Sequence, residues 1–206
     1  MYKRQEVIRA LMLLRLSTLC TGRTGVRPVV VETYAKALNA GIVPVVREYG
    51  SLGCSGDLAP LAHCALALLG EGEVRVNGKL QDAGEALAAA GIEPLQLREK
   101  EGLALINGTD GMLGQLCLAI TDLRAAAKTA DIATAMTVEG LLGTLVVFAD
   151  DLQQLRPHPG QADAAANILQ VAEGSEILEA ALEEFKKNQV QDAYSCLLYT
   201  SPSPRD

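Results

Sequence analysis

The residues best equipped for chemistry lie in one stretch, Gly50 to His63, which reads GSLGCSGDLAPLAH. Glycines at 50, 53 and 56 allow close backbone approach and φ values that other residues avoid, so a tight loop is predicted. Ser55 sits in that loop between Cys54 and Gly56. A serine-hydrolase elbow needs Gly two residues after the Ser, but Asp57 stands there, and only His63 and His158 could serve as its partner. That pattern speaks against hydrolysis. A Xaa-Ser-Gly tripeptide held under strain has another route open to it. The amide nitrogen of Gly56 can attack the carbonyl carbon of Cys54, because Gly presents no side chain to block the approach. Loss of one water closes a five-membered ring, and loss of a second from the Ser55 side chain leaves an exocyclic methylidene, an electrophile made from backbone alone. Taken in isolation, the same residues also read as a glycine-rich helix start capped by Ser55 or Asp57.

The elements that must position this loop are mostly helices. Ala (30) and Leu (32) dominate the 206 residues, against two Phe, five Tyr and no Trp, so the core is built from small aliphatic side chains of high helix propensity and the fold class is mainly α. Residues 6 to 20 carry a helical apolar stripe that ends at Thr21-Gly22. A second helix is predicted over 27 to 40, with Pro28 in its first turn and Gly41 beyond its end. An apolar helix follows the glycine-rich loop and ends near Gly70. Residues 74 to 80 alternate around Asn77-Gly78, which predicts a small β-hairpin. One or two long helices fit residues 109 to 148, the 156 to 160 cluster RPHPG interrupts them, and helix resumes over 161 to 187.

Charge and cysteine usage narrow the function class. A net charge of −7 without a Lys/Arg run gives no electrostatic footprint for nucleic acid or an anionic membrane. The longest apolar stretch, 58 to 69, falls short of the roughly 20 residues that span a bilayer. Five cysteines at 20, 54, 64, 117 and 196 form no CxxC pair, which predicts reduced thiols, a cytoplasmic location, and neither a disulfide frame nor a metal site. Apart from Cys54 they read as small core residues. His63, one turn into an apolar helix, is expected to be a satisfied packing residue.

Several separated segments share one resemblance. Cys54-Ser55-Gly56, the 101 to 109 segment EGLALINGT and the 189 to 195 segment QVQDAYS stand in the order found in the aromatic amino acid ammonia-lyases, and the chain resembles the histidine branch of that family. RTGVRP at 23 to 28, KTADIA at 128 to 133 and RPHPGQ at 156 to 161 are also similar to family text. The resemblance implies an aspartase-like helical bundle and elimination of ammonia from L-histidine to give trans-urocanate. It implies a methylidene-imidazolone formed autocatalytically from Cys54-Ser55-Gly56, with no metal or diffusible cofactor. Cys54 replaces the common Ala, but its side chain stays outside the ring. By the same resemblance Asn107 orients the substrate near its carboxylate, Gln191 and Tyr194 reach the cofactor, Gly53 supports the loop, and Asp57 supports cyclisation or, by preference, caps a helix. Ala193 stands where the family has Pro, and Leu197 where it has a substrate-binding Arg. A homotetramer sharing its active sites is implied. The rival readings are a tyrosine or phenylalanine ammonia-lyase and a non-catalytic helical module.

The two ends read differently from the rest. Tyr2 to Gln5 and Cys196 to Tyr199 can be written as one DNA sequence and its reverse complement, and they resemble a translated transposon adapter used for sequencing libraries. Residues 1–5 and 196–206 are therefore expected to be adapter read-through. Residues 6–195 are expected to be the central part of an ammonia-lyase domain, an internal fragment inactive by itself, with the cofactor loop at 50–63. The family's Tyr base and substrate-binding His would precede it, and an imidazole-binding Glu would follow.

Overall fold

A computed structural model describes residues 2–52 and 57–184. The chain divides into two compact units, Met1–Thr121 and Asp122–Asp206.

In the first unit, helix α1 (Gln5–Cys20) buries Val7, Ile8, Leu11, Met12, Arg15 and Leu19, an i, i+3/i+4 stripe interrupted by one charge. Helix α2 (Pro28–Asn39) starts with Pro at its first position, where a missing N–H costs nothing, and buries Val30, Thr33, Tyr34 and Ala37. Helix α3 (Leu58–Leu68) buries Leu61, Cys64, Ala65, Ala67 and Leu68. Their apolar side chains, Val7 excepted, close one core together with Val74, Leu87 and Leu105.

The predicted hairpin is present as β2 (Glu73–Val76) and β3 (Lys79–Asp82). Its two-residue turn has φ of 50° at Asn77 and 79° at Gly78, the left-handed pair that matches strand twist. A third strand, β1 (Val43–Pro44), pairs antiparallel with β2 at the sheet edge, giving the order β1-β2-β3. No strand was predicted for these two residues. They carry no alternation to reveal them, and an edge position tolerates the missing N–H of Pro44. Helix α4 (Ala83–Ala89) is capped by Asp82, whose Oδ1 accepts from the Glu85 N–H at 3.1 Å. Helix α5 (Glu101–Ile106) precedes the first turns of helix α6 (Asp110–Gly140).

In the second unit, a 3-10 turn (Val146–Phe148) and helix α7 (Asp150–Gln153) precede helices α8 (Pro159–Val171) and α9 (Glu176–Glu184). The sequence left one or two helices open over 109 to 148; a single helix of 31 residues ends at Gly140. Helix α8 begins two residues before the predicted start, because Pro159 occupies its first turn. The stretch read as helix over 161 to 187 is divided at Gly174, where φ is 74°. Asn167 Nδ2 donates to Asp131 Oδ2 at 2.8 Å, and Ser175 Oγ donates to Glu139 Oε1. Ala135, Val138, Ala165, Ile168, Ala172 and Ala181 are buried here.

Candidate functional site

Of the residues singled out in the sequence, Gly53, Cys54, Ser55, Gly56, Gln191 and Tyr194 lie outside the described residues. Asp57 and Asn107 are described, and both belong to the first unit.

Asp57 is fully buried and precedes α3, but its side chain makes no capping bond to that helix. The carboxylate reaches across to α6 instead. Met112 N–H, in the first turn of α6, donates to Oδ2 at 2.8 Å, and Ser51 Oγ donates to Oδ1. One carboxylate thus joins both flanks of the tripeptide to the amino end of a long helix, where orphan N–H groups and the helix dipole favour a negative charge.

Asn107 follows α5 with extended backbone, φ −100° and ψ 103°, and is exposed. Its N–H donates to Leu103 O at 3.0 Å. Its carbonyl accepts from Arg15 Nη1 at 2.8 Å, and the same nitrogen donates to Asp110 Oδ2 at 3.0 Å. Arg15 is 3% exposed, and its Nε has no hydrogen-bond partner among the described residues.

The two glycines of Asn107-Gly108-Thr109-Asp110-Gly111 follow from this crowding. A Cβ on Gly108 would overlap Arg15 Nη1 and Asp110 Oδ2. A Cβ on Gly111 would stand 2.9 Å from Asp57 Oδ2 and 3.1 Å from its Cγ. Only glycine lets the chain pass this close to both carboxylates.

The other end of α5 is fixed by a second ion pair. Glu101, 2% exposed, accepts from Arg27 Nε and Nη2 at 2.8 Å each, from Arg27 N–H at 3.1 Å and from Arg98 N–H at 2.8 Å. The Arg27 side-chain hydrogen bonds, aided by these backbone donors, hold the Glu101 carboxyl at about 2 against burial, which opposes them. Arg27 Nη2 also donates to Gln96 O at 2.7 Å. RTGVRP and EGLALINGT, remote in sequence, therefore meet through Arg27 and Glu101.

Behind this frame lie groups with no exposed chemistry. Burial, with Cys64 nearby, pushes the Tyr34 phenol well above its usual range, while Arg15 pulls the other way. Burial likewise raises the Cys64 thiol to about 12, leaving it inert as a nucleophile. Cys20 and Cys117, by contrast, are exposed free thiols, so of the described cysteines only Cys64 is the core residue that the sequence predicts. His63 differs from its expected role as a satisfied packing residue: it is half-buried, and its Nδ1 is buried without a hydrogen-bond partner among the described residues. Among the described residues no group of three or more His, Cys, Asp or Glu is arranged to hold a metal, and no helix is long and apolar enough to cross a membrane.

Ser51, Arg15, Asp110, Arg27 and Glu101 were not picked out as site residues from the sequence. Arg15 did leave a signal, since it shares the buried face of α1 with Leu11, Met12 and Leu19, and a charge on such a face demands a partner.

A family model, aromatic amino acid lyase, matches residues 2–200. The chain belongs to the aromatic amino acid lyase family. Within this family it is 60% identical over 192 residues to a histidine ammonia-lyase of Streptomyces coelicolor, covering 93% of this chain and 37% of that protein. It spans little more than a third of the length of that curated relative. Among solved structures of aromatic lyases it resembles the histidine ammonia-lyase of Trypanosoma cruzi, with TM-score 0.75 and 41% identity over 82% of this chain and 33% of that one. A tyrosine aminomutase from Streptomyces globisporus superposes with TM-score 0.81 and 40% identity, over 96% of this chain and 40% of that one. The mainly helical fold is thus common to proteins named for different substrates, and the higher identity lies on the histidine side.

Proposed function

We propose that the chain is part of a longer, cytoplasmic histidine ammonia-lyase that converts L-histidine to trans-urocanate and ammonia as a homotetramer, using a methylidene-imidazolone made from Cys54-Ser55-Gly56. The observation that carries this reading is the bond from Ser51 Oγ to Asp57 together with that from the Met112 N–H. It ties the two flanks of the tripeptide to each other and to α6, the restraint a backbone cyclisation needs if Gly56 nitrogen is to stay near the Cys54 carbonyl. The 60% identity to a histidine ammonia-lyase supports the substrate.

Such a group supplies an electrophile that withdraws electron density from the substrate, which answers the weak acidity of the β-proton and the poor leaving tendency of ammonia. The chain's own residues would bind and orient. Asn107, exposed beside a fixed backbone, would present its amide to the substrate carboxylate. Gln191 and Tyr194 would hydrogen-bond beside the tripeptide. Because Asp57 turns to α6, it does not cap α3, and the amino end of α3 would favour negative charge there. The 206-residue chain by itself is expected to be inactive.

The test is made on the full-length enzyme. Intact mass and peptide mapping are expected to show loss of two waters localised to residues 54–56, and urocanate to form faster than cinnamate or coumarate from the matching amino acids. An unmodified tripeptide in folded protein overturns the cofactor assignment. Preferential coumarate or cinnamate formation moves the substrate to tyrosine or phenylalanine, as the aminomutase likeness would then have indicated.

A further inference from the structure

Asn107 makes no hydrogen bond through its side-chain amide among the described residues, so within them the amide is restrained only through the backbone that carries it. The peptide is held on one side by the N–H to Leu103 O and on the other by the carbonyl on Arg15 Nη1. A buried ion pair with Asp110 alone would not require Arg15 to bond a backbone carbonyl as well. Both bonds leave from one nitrogen of a planar guanidinium, which sets the Asn107 carbonyl and the Asp110 carboxylate in a fixed mutual direction. Gly108 lies between those two acceptors with no room for a side chain. Residues 107 to 110 are thereby templated on Arg15, which comes from 92 residues away and is sealed from solvent.

We propose that Arg15 is a positioning residue for the lyase reaction: it acts through the Asn107 carbonyl to aim the Asn107 amide at the substrate, without touching substrate itself. This rests on the function proposed above, in which Asn107 binds substrate. Loss of the template lets the 107–110 backbone relax, and a shift of about 1 Å in a group that orients substrate costs on the order of a hundredfold in rate.

The experiment is a double-mutant cycle in the full-length enzyme, with Arg15→Met, Asn107→Ala and the double variant, each checked for the two-water mass loss and for thermal unfolding. Arg15→Met is expected to lower kcat on the order of a hundredfold in the wild-type background and by less than about threefold when Asn107 is already Ala. Arg15→Lys keeps the charge facing Asp110 but not the planar fork, so it is expected to recover melting temperature more fully than kcat. If Arg15→Met does not fold, the same cycle is run with Arg15→Lys. Equal fold losses in both backgrounds overturn the proposal, since they mark a residue that acts on folding alone. Loss of the two-water mass change in the Arg15 variants also overturns it, because Arg15 would then serve cyclisation. A wild-type enzyme without amino-acid lyase activity refutes the function and this inference together, whereas an active one with an additive cycle refutes only the inference.

Discussion

Helix α5 is six residues long, and an arginine from the N-terminal segment grips each of its ends. At the start, Arg27 forks onto Glu101 with its own side chain 34% exposed, and four N–H groups satisfy the carboxylate. At the end, Arg15 meets Asp110 with side chains 4% and 11% exposed, and one of its bonds goes to a backbone carbonyl. The chemistry is alike, but the surroundings differ. Glu101 terminates its network, so that contact is a clamp. Arg15 passes its order on to a residue whose amide has no partner among the described residues, so that contact can serve a site. A buried Arg–carboxylate pair becomes functional through what else the arginine holds.

Removing one partner of the inner pair is expected to have the largest effect. Arg15→Met strands the Asp110 carboxylate in a buried site and should cost about 3–5 kcal/mol of stability, read by denaturant unfolding of the full-length enzyme. Gly108→Ala probes the same pair from the backbone side, since the new methyl must displace Arg15 or Asp110. An overpacked contact of this kind costs about 1–3 kcal/mol, and kcat should fall in parallel with the Arg15 variants. A Gly108→Ala enzyme with unchanged kcat would separate the ion pair from the site and erase the contrast with Glu101.

The outer clamp is expected to give a smaller effect of another kind. Glu101→Gln keeps the shape and loses the charge, for a cost of about 2 kcal/mol, with kcat nearly unchanged. It should also alter the acid limb of stability. Glu101 titrates at about 2 in the fold against an ordinary 4.5, so the folded state binds its proton less readily than the unfolded chain. Its contribution is therefore complete above pH 4.5 and is lost as pH falls towards 2. Unfolding midpoints followed across that window should fall with acid in the wild type, and the fall should be shallower in Glu101→Gln.

The contrast also separates what was legible in the sequence from what was not. Helices α1 and α2 were readable because their apolar stripes and the Pro28 and Gly41 punctuation are local, and the hairpin because Asn77-Gly78 is a two-residue signal. The segments around residues 55 and 107 stood out as motifs. Their fastening did not, because it spans 55 residues from Asp57 to Met112 and 95 from Arg15 to Asp110. No local pattern encodes a partner at that range. Strand β1 was hidden for the same reason: its two residues are a strand only because β2 lies beside them.

The smallest expected effect tests whether crowding is special to the inner end. Gly102 lies inside α5, one residue beyond the outer clamp, and a Cβ there would meet only Leu97 Cδ1 at 3.8 Å, an ordinary contact. Glycine in a helix interior is less favourable than alanine by up to about 1 kcal/mol, so Gly102→Ala should stabilise the enzyme by about 0.5 kcal/mol and leave kcat unchanged. Calorimetry on Gly102→Ala and Gly108→Ala, made side by side, compares one substitution at two glycines six residues apart. Opposite signs would show that the backbone is tight only where it crosses Arg15. If both variants lose stability, α5 is tightly packed along its whole length, and the distinction between its ends fails.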